Sequence, residues 1–148
     1  MEKINVNIKY LSPLAKKPCY QTPGSAGMDL SAAIEQEVVL RRGETRLIPT
    51  GIAISLPDAG CVALIYARSG LAIKHGVTMA NCVGVIDSDY RGEIKVGVIN
   101  LGSEDYTICP GERIAQMVFA PVLTAQLCEA DSLGETQRGS GGFGSTGA

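Results

Sequence analysis

The sequence Asn81-Cys-Val-Gly-Val-Ile-Asp-Ser-Asp-Tyr-Arg-Gly-Glu-Ile94 is the stretch around which the rest of the chain is organised. An apolar run enters it from Val83 and another leaves it from Ile94, with a polar segment between them. Two β-rich runs joined by a short polar connection that ends in Gly predict a β-hairpin. A turn needs Gly, Asn, Asp or Ser for its backbone angles, but it does not need Tyr90. We therefore expect the hairpin to hold a small molecule and to act on it chemically.

The composition indicates one domain without a general affinity for polyanions. The chain has 148 residues, enough to bury a sizeable core, and 13 basic against 15 acidic side chains. This balance argues against non-specific binding to nucleic acid or to a membrane surface, because both need a basic footprint. The N-terminus lacks a basic segment followed by an apolar one, and no apolar run reaches about 18 residues. Neither a signal peptide nor a membrane span is expected.

The cysteines indicate the compartment. There are five, widely spaced and without a C-x-x-C pair: Cys19, Cys61, Cys82, Cys109 and Cys128. The expectation is reduced, mostly buried thiols in a cytoplasm. A zinc site would need closer ligand pairs and more histidine than the single His75.

The spacing of apolar segments predicts the fold class. Short strands recur at intervals of roughly ten residues, punctuated by Gly and Pro, which is typical of an all-β sandwich or barrel. Alternation predicts a half-buried strand from Ile4 to Tyr10. Apolar runs predict further strands at 38–40 and within 46–56, broken by Arg41-Arg-Gly43 and Pro49-Thr-Gly51, and at 62–66, 106–109 and 114–122.

One helix and one tail complete the predicted architecture. The helix candidate is Ser69 to Lys74, with Ser69 as its N-cap and Gly76 as its stop. At barely two turns it must be held by the barrel. Residues 1–133 are predicted to form the barrel domain, and residues 134–148, mostly Gly, Ser and Thr, a flexible C-terminal tail.

Two stretches have both a chemical and a structural explanation. Arg68-Ser-Gly opens the predicted helix, where free N–H groups and an arginine would bind phosphate, but from this stretch alone an ordinary capped helix with a surface arginine is the favoured explanation. The acids of Asp87-Ser-Asp89 do not make a calcium loop, because the fifth and twelfth positions are Arg91 and Val98. Asp87 is then part of a solvated turn or a general base.

Tyr90, Gln116 and the tail each leave two interpretations open, whereas His75 has one. Tyr90 either folds back onto the barrel or makes a flat wall against a sugar or base. Gln116, in an apolar strand, either satisfies a loop carbonyl or orients a water. His75 is interpreted as a helix-end residue that favours the helix dipole and not as a base. The tail, Arg138 to Gly147, lacks the Gly-Lys-Ser/Thr ending of a phosphate loop, and is either a flexible terminus or a segment that orders on binding.

Together and in this order, five stretches resemble the five motifs of the homotrimeric dUTPase family. They span most of the chain: Ala26-Gly-Met-Asp-Leu-Ser-Ala-Ala33, Arg68-Ser-Gly-Leu-Ala-Ile-Lys-His-Gly76, Asn81 to Ile94, Gly111-Glu-Arg-Ile-Ala-Gln-Met-Val-Phe119, and Arg138-Gly-Ser-Gly-Gly-Phe-Gly-Ser-Thr-Gly147. The hairpin and tail motifs are the most specific. Ala67 departs from the family, in which many members have proline before Arg-Ser-Gly, and a slightly looser entry to the helix is expected.

The resemblance implies a β-barrel or jelly-roll-like subunit that forms a homotrimer, with three active sites that are each built from all three chains. The implied reaction is hydrolysis of dUTP to dUMP and pyrophosphate with Mg²⁺. It keeps uracil out of DNA and supplies dUMP for thymidylate synthesis.

The resemblance also implies roles for residues of the hairpin. Asp87 would orient and deprotonate a water in line with the α-phosphorus, and would accept a hydrogen bond from the sugar 3′-hydroxyl. Tyr90 would pack under the deoxyribose and exclude a 2′-hydroxyl. The uracil edge would be read by Asn81, by the backbone of Gly84, Val85 and Ile86, and by backbone near Lys95.

Outside the hairpin, the implied roles concern the phosphates and the metal. Phosphate binding would fall to Arg68, Ser69, Gly70 and Gln116. Asp29 would touch Mg²⁺ only through its waters, with no direct protein ligand, because Mg²⁺ on a triphosphate keeps several waters. The tail would supply Arg138 to the γ-phosphate, Phe143 to stack on uracil, and Ser145 and Thr146 as further donors.

Three rival interpretations remain. A dCTP deaminase-related enzyme shares the fold but would need a base-facing acid in place of the apolar residues before Asp87. A non-catalytic deoxynucleotide-binding regulatory protein would not need Asp87, Gln116, Arg138 and Phe143 together. A generic β-barrel interaction protein leaves the Arg and Phe of the tail unexplained.

Overall fold

The computed structural model of the chain describes residues 3–142, and within them eleven strands and one helix. In chain order these are β1 (Asn7–Tyr10), β2 (Met28–Ser31), β3 (Val38–Leu40), β4 (Thr45–Pro49), β5 (Ile52–Ser55), β6 (Cys61–Ala67), α1 (Ser69–His75), β7 (Val77–Met79), β8 (Gly84–Ile86), β9 (Lys95–Asn100), β10 (Tyr106–Ile108) and β11 (Arg113–Pro121). None of the described helices is long and apolar enough to cross a membrane.

The strands form four antiparallel sheets. The largest has the order β2-β11-β6-β8, the next has β4-β9-β7, and the pairs β1-β5 and β10-β3 complete the set. Antiparallel sheets can bury one face and expose the other, so their strands alternate in burial. In β6, Cys61, Ala63 and Ile65 are buried while their neighbours are not. The arrangement confirms the predicted all-β, barrel or jelly-roll-like class with one short helix.

The core is one apolar cluster between the sheets. Its fully buried side chains include Leu30, Leu40, Ile65, Ile94 and Val96. Only two buried residues are polar among those the structure describes, Thr50 and Asn100, and the side chains of both are hydrogen-bonded. The core therefore satisfies the rule that buried polar groups find partners.

The predicted hairpin is corrected by the pairing of its two runs. β8 pairs with β6, whereas β9 pairs with β4 on one edge and β7 on the other. Because both edges of β9 are occupied, it has no edge left for β8. The two arms of the stretch 81–94 therefore diverge into different sheets and leave a cleft between them.

The helix is also corrected at its start. It runs from Ser69 to His75, one residue longer than predicted, and its N-cap is Arg68, whose extended backbone makes no side-chain capping bond. Gly76 is the C-cap, as predicted, with φ of 70° and an N–H donated to the Ala72 carbonyl. That conformation favours glycine, and a Cβ there would lie 2.3 Å from the backbone nitrogen of Gly102.

Two predictions of burial are wrong for the single chain. All four residues of β1 are exposed, because β1 pairs only with β5 and no further layer covers it. All five cysteines are free thiols, but only Cys61 is buried. The other four lie outside the named strands, in connections at the surface.

Past the last strand the described chain runs along the surface. From 122 to 142 it contains no strand or helix, and Leu123, Leu127 and Leu133 are 97%, 94% and 96% exposed. The last strand thus ends at Pro121, and the domain boundary at 133 stays a prediction.

Candidate active site

A cleft lies between the diverging arms of the 81–94 stretch, which we call the base cleft. Its volume is about 450 Å³. It brings together seven of the predicted site residues: Asn81, Gly84, Val85, Ile86, Asp87, Tyr90 and Lys95. Four further lining residues were not predicted: Leu47, Ile65, Met79 and Glu93.

The floor of the base cleft depends on a close approach between β8 and β6. A Cβ on Gly84 would lie 3.1 Å from Cβ of Ile65, so glycine lets the two strands pack tightly. Asn81 reaches the same point, with its Nδ2 3.7 Å from that Cβ position. The turn before β8 is tight: Cys82 has φ of 61°, the only positive value for a non-glycine residue in 3–142. This turn places the Asn81 amide beside the start of β8, the edge strand of its sheet.

Tyr90 is held by its own loop and still faces the cleft. Its hydroxyl donates to the Glu93 carbonyl at 3.0 Å, and its N–H donates to the Asp87 carbonyl at 3.1 Å. The ring lies over Gly92, where a Cβ would be 2.4 Å from the phenol oxygen. The ring is thus folded back on its own loop and also lines the cleft. These contacts of the ring are with its own loop and not with the barrel, and its role as a flat wall against a sugar or base stays a prediction.

A second cleft of about 290 Å³ lies at the start of α1, and we call it the phosphate cleft. It gathers five predicted residues: Asp29, Arg68, Ser69, Gly70 and Gln116. Its remaining lining residues are Gln21, Ser25, Ala26 and Gly27. No residue of this cleft lines the base cleft in the single chain.

The charged centre of the phosphate cleft is a carboxylate between two arginines. Asp29 Oδ1 accepts from Arg68 Nε at 3.0 Å, and Asp29 Oδ2 accepts from an Arg113 guanidinium nitrogen at 2.9 Å. Arg68 also donates to the Arg113 carbonyl at 3.1 Å. These contacts fix the Arg68 guanidinium beside Ser69. Arg113 was missed by the sequence reasoning, although it lies within the stretch 111–119 and opens β11 opposite Ser31.

Gln116 bonds the backbone at the end of β6, and its role towards water and phosphate stays a prediction. Its Nε2 donates to the Ala67 carbonyl at 3.0 Å, so it satisfies the backbone just before α1. Gly27 makes room for it, because a Cβ there would lie 2.7 Å from Gln116 Oε1. The glutamine therefore joins β11 to the entrance of the helix.

A polar cluster supports the end of α1 and the start of β11. Tyr106 donates its hydroxyl to Glu112, and the other Glu112 oxygen accepts from the Cys109 N–H at 2.9 Å. Burial, followed by the hydrogen bond to Glu112, raises the pKa of Tyr106. His75, the last helical residue, packs its ring 4.9 Å from that of Tyr106, at the helix end that was predicted for it.

Among the predicted site residues of the tail, only Arg138 lies within the described part of the chain. Arg138 is exposed and donates its Nε to the Gly141 carbonyl at 2.8 Å. It lines neither cleft of its own chain. Phe143, Ser145 and Thr146 lie outside the described residues.

A divalent cation would be held at this site by few protein groups together with the oxygens of a ligand. No group of three or more His, Cys, Asp or Glu side chains between residues 3 and 142 is arranged to hold a metal ion. Mg²⁺ needs no such cage, since one or two carboxylates and the phosphates of a substrate suffice. Asp29 fits this requirement, because each carboxylate oxygen has a further lone pair beyond the one given to an arginine.

Comparison with known proteins identifies this class of site. The dUTPase family model matches residues 14–147. A deoxyuridine 5′-triphosphate nucleotidohydrolase of Desulfitobacterium hafniense is 56% identical over 149 residues, with 99% of each chain covered. The protein of that name from Rickettsia felis is 61% identical over 130 residues, covering 88% of this chain and 87% of its own.

A solved structure, the Staphylococcus bacteriophage 80alpha dUTPase with dUPNHPP, superposes with a TM-score of 0.88 at 29% identity, covering 97% of this chain and 99% of that one. The chain belongs to the dUTPase family. It is thus an enzyme of the dUTP diphosphatase class, a β-rich hydrolase of nucleotide metabolism.

Proposed function

We propose that this chain hydrolyses dUTP to dUMP and pyrophosphate through a water that Asp87 holds and deprotonates. The observation that carries the proposal is the base cleft: it combines an exposed carboxylate, an amide beside open strand backbone, and an aromatic wall. A base must lie within hydrogen-bond reach of its water, and Asp87 stands at the end of β8, on the rim of the cleft. The attack is in line at the α-phosphorus.

Uracil is recognised in this proposal by donors and acceptors at fixed positions. Asn81 and the backbone of Gly84 to Ile86 pair with the edge of the base, and backbone near Lys95 closes the other side. The tight packing of Gly84 on Ile65 leaves the floor no freedom to move away. Thymine is excluded because its methyl group has no room, and cytosine because its donor and acceptor are exchanged.

Tyr90 provides the selection for deoxyribose. Its ring is fastened by the hydroxyl bond to Glu93 and by its position over Gly92. A sugar resting on this ring has no space for a 2′-hydroxyl, so ribonucleotides are rejected by exclusion.

Phosphate binding and leaving-group stabilisation belong to the phosphate cleft. Arg68 is oriented by Asp29, and the backbone of Ser69 and Gly70 opens α1 beside it. Gln116 holds the start of this helix. Asp29 would hold Mg²⁺ through water molecules, using the lone pairs that the two arginines leave free. When bound, Mg²⁺ neutralises charge that develops on the pyrophosphate.

The complete site is shared between the chains of a homotrimer. Support comes from the separate clefts of the single chain, from Arg138, which lines neither, and from the exposed leucines between residues 123 and 133. In the assembly, residues 134–148 form a flexible tail that closes over a site, bringing Arg138 to the γ-phosphate and Phe143 to the uracil ring. Ser145 and Thr146 add donors. Closure expels water and strengthens these contacts.

The cellular part of the proposal is a cytoplasmic enzyme that keeps uracil out of DNA and supplies dUMP for dTTP synthesis. Its support is the set of five free thiols, which suits a reducing compartment.

A nucleotide panel tests the proposal. Pyrophosphate release is measured with dUTP, dTTP, dCTP and UTP in the presence of Mg²⁺, and ammonia release is measured in parallel. Release from dUTP alone is the expected result. Ammonia from dCTP would indicate a deaminase, binding without turnover a regulatory protein, and equal turnover of UTP would refute the role of Tyr90.

A further inference from the structure

The side chain of Glu93 fastens one wall of the base cleft to the barrel. Its Oε1 accepts from the Gly51 N–H at 2.9 Å, across 42 positions of sequence. Its Oε2 lies 3.7 Å from Lys95 Nζ. The carbonyl of the same residue receives the Tyr90 hydroxyl. Glu93 thus joins the loop that carries Tyr90 to a distant turn of the fold.

The turn that receives Glu93 is a rigid anchor. Gly51 has φ of 69°, and a Cβ there would meet Ala15 at 2.8 Å and Ser12 at 3.0 Å. Its own carbonyl accepts from the Leu11 N–H at 2.7 Å. Crowding and bonding on both sides keep the Gly51 N–H pointed at Glu93.

The residues on either side of Gly51 bond Ile94, the residue that follows Glu93. Thr50, which is buried, donates its hydroxyl to the Ile94 carbonyl at 2.5 Å, and the Ile94 N–H donates to the Ile52 carbonyl at 2.8 Å. The ladder between β4 and β9 begins only at Lys95. The Glu93 carboxylate is therefore the last contact before the chain leaves the barrel towards Tyr90.

We propose that Glu93 is a positioning residue for substrate selection, which sets the place of the Tyr90 ring by accepting the Gly51 N–H. This inference rests on the proposed function, since it assigns to Tyr90 the sugar wall described above. Without the anchor, the Glu93 carbonyl moves away from the barrel, and the phenol moves with it. The cleft then admits a 2′-hydroxyl that the fixed ring excludes.

Three substitutions separate the effect of the hydrogen bond from Gly51 N–H from the effect of the Glu93 charge. Glu93→Ala removes both. Glu93→Gln keeps an oxygen that accepts the Gly51 N–H and loses only the charge that faces Lys95. Glu93→Asp keeps the charge but is one methylene too short to reach Gly51. Glu35→Ala is the matched control, because Glu35 is exposed and makes no side-chain hydrogen bond or ion pair within residues 3–142.

The measurement is the ratio of kcat/KM for dUTP to that for UTP, with kcat and KM resolved for each. Glu93→Ala and Glu93→Asp should lower this ratio about tenfold, the effect of losing one well-placed discriminating contact. The change should appear mainly in KM for dUTP and in activity on UTP, with kcat for dUTP within roughly threefold, because the Asp87 side chain is not held by Glu93. Glu93→Gln and Glu35→Ala should keep the wild-type ratio.

Each other result has a distinct meaning. Wild-type protein that releases no pyrophosphate from dUTP refutes the proposed function and not the anchor. Active, selective wild type with an unchanged ratio in Glu93→Asp overturns the positioning role. An equal loss in Glu93→Gln overturns it too, since the charge would then be responsible. If Glu93→Ala does not fold, the Asp and Gln variants still decide between these outcomes.

Discussion

Replacing Asp29 with Asn tests whether the main role of this carboxylate is to orient an arginine or to hold the metal. The side chain is largely buried, and each of its oxygens accepts from a different guanidinium. Asn preserves the shape but keeps only one oxygen, and it turns an N–H₂ donor towards the second arginine. The oxygen that still faces Arg68 no longer carries a negative charge, so the contact that directs Arg68 into the phosphate cleft is weakened.

The structure sets the size of the effect. A hydrogen bond to a charged group contributes about 1.5–3 kcal/mol, but an exposed ion pair contributes under about 1 kcal/mol. Arg68 is 28% exposed and Arg113 is 46% exposed, so the second pair is the weaker. We expect a loss of about 2 kcal/mol in the free energy of unfolding, which corresponds to roughly 4–8 °C in Tm for a chain of this size.

The assay is pyrophosphate release at increasing Mg²⁺. The misdirected Arg68 should raise KM for dUTP about tenfold, the equivalent of ~1.4 kcal/mol in binding. Extra Mg²⁺ should not restore KM, because the arginine and not the cation is misplaced. Asp131→Asn, an exposed acid without a side-chain partner in the described chain, should match wild type. Recovery of KM at high Mg²⁺ would refute this reasoning and give the metal the leading role.

Three further outcomes are expected. Asp87→Asn should lower kcat by about 10²–10⁴-fold while a non-hydrolysable analogue of dUTP still binds, and an active variant would mean that the base is elsewhere. Asn100→Ala should lower the free energy of unfolding by about 3 kcal/mol in urea titrations, because Asn100 is fully buried and its side chain makes three hydrogen bonds; a loss below ~1 kcal/mol would contradict this. Partial desolvation by neighbouring groups, and then the Glu37 carboxylate, raise the pKa of the exposed Cys109 thiol and reduce its thiolate at a given pH. Glu37→Gln should therefore speed alkylation of Cys109 at mildly alkaline pH, read by mass spectrometry with Cys19 as an internal reference, and an unchanged rate would exclude Glu37 as a cause.

Local patterns predicted most of the elements. The apolar runs at 114–122 and 62–66 appear as β11 and β6, with limits shifted by about one residue. Gly76 ends the helix as expected, because a C-cap depends on one residue that accepts a positive φ. The pairing of β8 and β9 was not predictable in this way. The pairing depends on β4 and β7 occupying both edges of β9, and no pattern within 81–94 predicts this.

The residues of the candidate site also differ in whether a local pattern or a long-range contact positions them. Those expected to read the uracil edge and to contact the sugar come from one continuous stretch, 81–95, so their proximity follows from the chain itself. The side chains that hold them in place, or orient the phosphate donors, find their partners far away: Arg113 bonds Asp29 across 84 positions, and Glu93 bonds Gly51 across 42. Only the folded register reveals such contacts. Asp29 is an example. Its motif suggests a metal-binding residue, whereas its two ion pairs show that it orients arginines in the absence of a metal. Substitutions at these distant partners should therefore change selectivity and substrate affinity more than the chemical step.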